Sequence, residues 1–99
     1  MKLHQKGFLL VALSKTESLW DYDLIAVALA EYGLAGDYQE KNLRVALDEL
    51  AAAGLITRLE EKLQDHNKRL GLFFRYRLSD FGRSRMLDTG LLNTGSENE

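Results

Sequence analysis

Apolar residues along the chain recur at helical spacing over the first half, alternate over a short later stretch, and return to helical spacing near the end. The opening KLHQKGFLLVALSKT carries Leu3, Phe8, Leu9, Leu10, Val11, Ala12 and Leu13 around most of a helix's circumference. A helix apolar on most faces is central to a core or part of a subunit interface. In ESLWDYDLIAVALAEYG, Leu24, Ile25, Ala28, Leu29 and Tyr32 fall on one stripe, with Asp21 as the expected N-cap and Gly33 as the C-terminal stop. A third helix, over about 38–53, is the clearest. Asp37 and Glu40 have the acid-x-x-Glu form of a capping box, Leu43, Ala46, Leu47 and Leu50 share one face, and Gly54 followed by Leu55 ends it.

Past Gly54 the pattern admits two readings. Ile56, Leu59, Leu63 and Leu70 approximate a heptad, yet Ile56, Thr57 and Arg58 suit a strand and DHNKRLG holds turn formers. LFFRYRL decides for strands: it sets Leu72, Phe74, Tyr76 and Leu78 on one face and Phe73, Arg75 and Arg77 on the other. One strand needs a partner, so a hairpin is expected, with strands near 56–61 and 71–78. Ser79 then caps a last helix, DFGRSRMLDTG, with Phe81, Met86 and Leu87 offered to the core and Gly90 near its end. The expected fold is α+β and mostly α, in one domain over 1–92 with a flexible C-terminal tail over 93–99.

Three helices, a two-stranded hairpin and a closing helix form the winged helix-turn-helix order. Two phrases sharpen the likeness. LRVALDELAAAGLITR resembles a recognition helix running into the first wing strand, and YRLSDFGRSRML resembles the second wing strand running into the next helix. Both resemble bacterial winged-helix transcriptional regulators, particularly the MarR and PadR families, in which Tyr-x-Leu-Ser/Thr-x-x-Gly is frequent. The resemblance covers roughly 5–88. It implies a sequence-specific regulator of transcription that binds double-stranded DNA as a small homodimer. Winged helices also serve as protein-interaction modules, so a subunit or antirepressor that touches a protein partner and not DNA is the alternative.

Charge makes this reading less simple. The formal net charge is -2, but it is unevenly distributed: residues 62–85 hold seven Lys or Arg against two acids, and every other segment is negative. A local basic patch holds a polyanion through its own field even on an acidic domain. In helix-turn-helix proteins the second helix of the motif enters the major groove. Here that helix offers Tyr38, Lys41 and Val45 on the face opposite its core stripe, flanked by Asn42 and Arg44. Asn suits adenine, Arg and Lys suit guanine, and Val suits the thymine methyl. Against this, Arg44 lies four residues from both Glu40 and Asp48 and is placed to pair with them, and Asp48 and Glu49 would repel phosphates. The wing adds Lys62, Lys68 and Arg69 near its tip and Arg75 and Arg77 on its outer strand, with Arg83 and Arg85 beyond.

Other functions find little in the sequence. The chain has no cysteine, and so no disulfide, thiolate metal site or cysteine nucleophile. His4 and His66 lack metal-ligand spacing, no Gly-rich phosphate loop or triad spacing occurs, and no apolar run approaches membrane length. A cytoplasmic, non-enzymatic protein without catalytic residues, cofactor, metal or membrane association is expected. The homodimer is inferred from the apolar first helix and from Leu91 and Leu92, which have no evident place in so small a core. Trp20, Tyr22 and Tyr32 are read as core in preference to an effector pocket.

Overall fold

The computed structural model describes residues 4–66 and 69–91. Its order is α1 (Gln5–Ser14), β1 (Leu19–Trp20), α2 (Asp21–Tyr32), α3 (Asp37–Ala52), β2 (Ile56–His66), β3 (Arg69–Leu78) and α4 (Asp80–Thr89). The strands form one antiparallel sheet in the order β1-β3-β2. This is the α+β, mostly helical, winged helix-turn-helix arrangement, with one strand beyond the expected hairpin. β1 is two residues long and too short to show a period; only its pairing of Leu19 with Tyr76 and Trp20 with Arg75 defines it.

The core is assembled from the stripes read in the sequence. Leu9, Leu10 and Leu13 of α1 meet Leu24, Ile25 and Ala28 of α2 and Leu43, Ala46, Leu47 and Leu50 of α3. Ile56, Tyr76 and Leu78 close it from the hairpin, and Met86 from α4. Phe81 and Leu87, expected to join it, lie exposed on α4. Leu91 does find a place, packed against the core just past the helix end, while Leu92 and the tail over 93–99 lie outside the described residues.

Two of the three expected N-caps shift by one residue, and Ser79 stands as expected. Trp20, not Asp21, is the N-cap of α2, and Gly36, not Asp37, that of α3; neither cap makes a side-chain hydrogen bond. Asp37 and Glu40 therefore sit inside the first turn of α3, where their charge complements the helix dipole without forming the box. The C-terminal readings hold. After α3, Gly54 at φ 80° lets its N–H donate to the Ala51 carbonyl and the Leu55 N–H reach the Leu50 carbonyl.

The hairpin is longer than expected, and its alternation buries different faces at its two ends. β2 and β3 pair continuously from Ile56 with Leu78 to His66 with Arg69, with a bulge between Arg58 and Glu60. At the base Tyr76 and Leu78 point into the core as expected. Farther out the expectation reverses: Phe73 is 6% exposed and Leu72 is 49% exposed. Phe73 meets Tyr22 edge-on, ring centroids 5.4 Å apart, so the start of α2 covers the opposite face from the one the core covers. A bulge sharpens strand twist, which lets one hairpin present opposite faces to two layers.

The wing is anchored to α4 by Ser79 and Gly82. The Ser79 hydroxyl accepts from the Gly82 N–H at 2.8 Å, and the Ser79 N–H donates to the Leu55 carbonyl at 3.1 Å. A Cβ on Gly82 would stand 2.0 Å from that same carbonyl oxygen, so α4 approaches as closely as it does only because residue 82 is glycine. Gly82→Ala is expected to cost about 1–3 kcal/mol or more, since the clash is with backbone, and Ser79→Ala about 1 kcal/mol. Urea midpoints at unchanged m-value check both.

Candidate nucleic-acid interface

The outer face of α3 is open over its first half. Tyr38 is 72% and Val45 52% exposed, and Lys41 and Asn42 are exposed beside them. None of these four side chains has a hydrogen bond or ion pair among the described residues. They present a phenol, an ammonium, a carboxamide and a branched apolar group on one accessible surface, a set able to meet phosphate, base edges and a methyl group.

Arg44 does not belong to that surface. Its guanidinium turns inward and donates to Asp21 Oδ2 at 2.9 Å, 5.5 Å from the centre of the Phe73 ring. The expected pairing with Glu40 and Asp48 is replaced by an ion pair across 23 residues. Asp21 is itself 2% exposed. It stands where a third residue of β1 would lie opposite Phe74, but the chain has already turned into α2, and the carboxylate accepts the Phe74 N–H at 3.2 Å in place of a strand carbonyl. Asp21 thus joins α2, α3 and the wing strand.

The acids on α3 that would repel phosphate are partly offset. Asp48 pairs with Arg58 at 3.4 Å and Glu49 with Lys6 at 2.7 Å. Exposed pairs stabilise little, but they reduce the local negative field. Arg58 also lies over the Phe74 ring at 3.7 Å and donates to the Tyr76 hydroxyl at 3.2 Å, so the base of the wing and the end of α3 share one cation. Burial pushes the Tyr76 phenol above its ordinary value, a rise that the Arg58 hydrogen bond partly counters.

The wing arginines differ in availability. Arg75 donates to Glu60 at 3.0 Å and to Ser18 at 2.6 Å, so it braces the sheet against the loop before β1. Arg77, opposite Thr57, is exposed and has no partner among the described residues. Arg83 and Arg85 are likewise exposed on α4. Lys62 is occupied: it donates to the Tyr22 hydroxyl at 2.9 Å and lies 4.1 Å from the centre of the Trp20 ring. Arg69 pairs with His66 at the end of the ladder; Lys68 lies outside the described residues. Sequence reasoning missed the structural roles of Asp21, Arg44 and Lys62. No local signal marks them, because each partner is distant in sequence.

Among the described residues no group of His, Asp and Glu is clustered to hold a metal ion, and no helix is long and apolar enough to cross a membrane.

No family model matches the sequence, and no curated protein does. Two solved structures share the fold. The complex structure of hsRosR-S1 superposes with a TM-score of 0.63 at 22% identity, over 90% of this chain and 69% of that one. Bacillus subtilis PadR in complex with operator DNA gives a TM-score of 0.63 at 22% identity, over 95% of this chain and 50% of that one. The chain therefore spans about half the length of PadR.

Arg44→Ala would leave Asp21 buried without its cation, and a loss of about 2–4 kcal/mol is expected, below the range for a fully buried pair because Arg44 is a third exposed. Adding Asp21→Asn should restore part of it, and a double-mutant cycle by chemical denaturation measures the coupling. Tyr76 generates a second expectation. Because its folded phenol titrates above the unfolded one, its contribution is fully present below the ordinary tyrosine value near 10 and is lost as pH rises through the folded value. Tyr76→Phe should flatten the alkaline fall in stability.

Proposed function

We propose that this protein is a DNA-binding regulator of transcription, not an enzyme, which lays the first half of α3 in the major groove of double-stranded DNA and the wing against the adjacent backbone. The observation that carries the reading is the open face of Tyr38, Lys41, Asn42 and Val45 on the second helix of a helix-turn-helix. Lys41 and Asn42 read base edges, Val45 packs on a thymine methyl, and Tyr38 reaches the backbone. Arg77, with Lys68 and Arg69 near the tip, supplies phosphate contacts. Arg44 acts in this scheme by fixing the angle between α3 and the wing, and Arg75 by bracing the sheet. PadR, solved with operator DNA, supports the reading by its fold.

Homodimerisation belongs to the same proposal. α1 proves largely consumed by the core, but α4 leaves Phe81 and Leu87 exposed for a second copy. Two-fold symmetry would then require half-sites about one helical turn apart, roughly 34–36 Å. A cytoplasmic location follows from the function proposed.

A winged-helix module that binds a protein is the competing reading, favoured by the exposed Leu59, Leu63, Leu70 and Leu72 on the wing. Selection from a random duplex pool followed by salt titration separates the two. DNA binding should weaken with salt, and each lost phosphate contact should reduce the slope of log K against log salt by about 0.9. Arg77→Ala should lower that slope, whereas Asn42→Ala should leave it and reduce discrimination by about 1–3 kcal/mol at one base pair. A flat salt response or no enriched duplex supports the protein module.

A further inference from the structure

We propose that the edge of β3 beyond β1, from Leu70 to Phe73, takes up an extended peptide segment bearing lysine or arginine as an added strand. This goes beyond DNA binding, and its test contains no DNA.

β3 is the central strand of the sheet, but β1 covers its outer edge only at Arg75 and Tyr76. Phe74 donates its N–H to the Asp21 carboxylate and so directs it away from β2. In an antiparallel ladder the backbone groups alternate in direction from one residue to the next. The register is unbroken from Phe74 opposite Glu61 to Arg69 opposite His66, so Leu72 and Leu70 also turn their N–H and C=O groups away from β2. No strand among the described residues takes them. The ladder that β1 begins therefore continues, unfilled, past the point where Asp21 ends it. An open edge of this kind is a template for another chain, which gains main-chain hydrogen bonds by adding to it.

Space lies beside that edge. A cleft of about 530 Å³ has four consecutive β3 residues, Leu70 to Phe73, in its lining, together with residues of α2 and the start of α3. An added strand, at the usual spacing of about 4.8 Å, enters this cleft. The Phe73 ring lies back over Gly71, 3.2 Å from where a Cβ would stand there, and so runs along its own strand and not across the edge. Charge then chooses the occupant. Arg44 in the lining is paired with Asp21. The other charged residues of the lining are Asp37 and Glu40, both in the first turn of α3. The helix dipole contributes about half a positive charge there, which two carboxylates outweigh. A cationic segment is attracted and an acidic one repelled. The chain's own residues 92–99, whose charged side chains are Glu97 and Glu99, have the wrong sign.

Calorimetry on the full chain with three end-capped pentapeptides tests this: Lys-Val-Lys-Val-Lys, the same peptide N-methylated at every amide, and Glu-Val-Glu-Val-Glu. The N-methylated peptide keeps its charge and side chains but cannot donate to the edge, and it should bind about tenfold more weakly or worse, as the loss of two backbone hydrogen bonds implies. The glutamate peptide should also bind more weakly than the lysine peptide, and Glu40→Gln should narrow that preference about threefold. Leu72→Pro removes an outward N–H without touching a bond to β2 and should abolish binding. Leu63→Pro, opposite it in the ladder and so directed to the free edge of β2, should leave binding unchanged. Both side chains are exposed, and circular dichroism checks that both variants keep the sheet; the peptide comparison on the natural chain decides on its own if they do not. Equal binding of the lysine peptide and its N-methylated form, a preference for the glutamate peptide, loss in a folded Leu63→Pro with retention in a folded Leu72→Pro, or no heat from any peptide at millimolar concentration overturns the proposal. None of these outcomes alters the salt response that tests DNA binding.

Discussion

The Asp21 carboxylate fixes the relation among α2, α3 and the wing strand. It ends a two-residue strand by taking the next β3 amide, begins α2, and holds Arg44 from the middle of α3. A buried carboxylate is costly unless it is paired and hydrogen-bonded. One oxygen satisfies both demands, while Oδ1 is buried with no partner among the described residues. Two of those elements, α3 and the wing strand, carry the contacts proposed for DNA. Their mutual angle therefore rests on an interaction that is sensitive to any displacement of either.

The opposite end of the wing is held differently, by backbone and small atoms. The helix end at Gly54 turns the chain into β2, and β3 returns to Leu55, where Ser79 bonds and Gly82 passes close by. Between these anchors Arg58 bridges Asp48, Phe74 and Tyr76. The wing is thus joined to α3 by two cations, Arg44 toward the middle of the helix and Arg58 toward its end. Arginines that looked surplus to an acidic protein are divided among structural duties and a few open positions, Arg77, Arg83 and Arg85.

That division changes the electrostatic picture. A count of charges along the sequence made α3 look hostile to phosphate and the wing uniformly basic. Pairing moderates both: Asp48 and Glu49 are partly compensated, while Arg75 and Lys62 are occupied by Glu60, Ser18 and aromatic neighbours. What stays open among the described residues is a small polar face on α3, Arg77 on the wing and Arg83 and Arg85 on α4, which would suit recognition by few contacts and not by a broad basic field.

Much of the fold was legible because it depends on local regularity. The apolar stripe of α3, the glycine stops at Gly33, Gly54 and Gly90 and the Ser79 cap all follow from spacing or from one residue's local chemistry. Among the candidate residues, Tyr38, Lys41, Asn42 and Val45 were placed on the open face by helical period alone. The tertiary structure decided what period cannot carry. It paired Arg44 with Asp21 instead of with its neighbours in the helix, because a buried carboxylate binds more strongly than less buried ones one turn away. It created β1 by pairing, and it buried Phe73 in place of Leu72, because alternation states which residues share a face and only the packed layers state which face is covered.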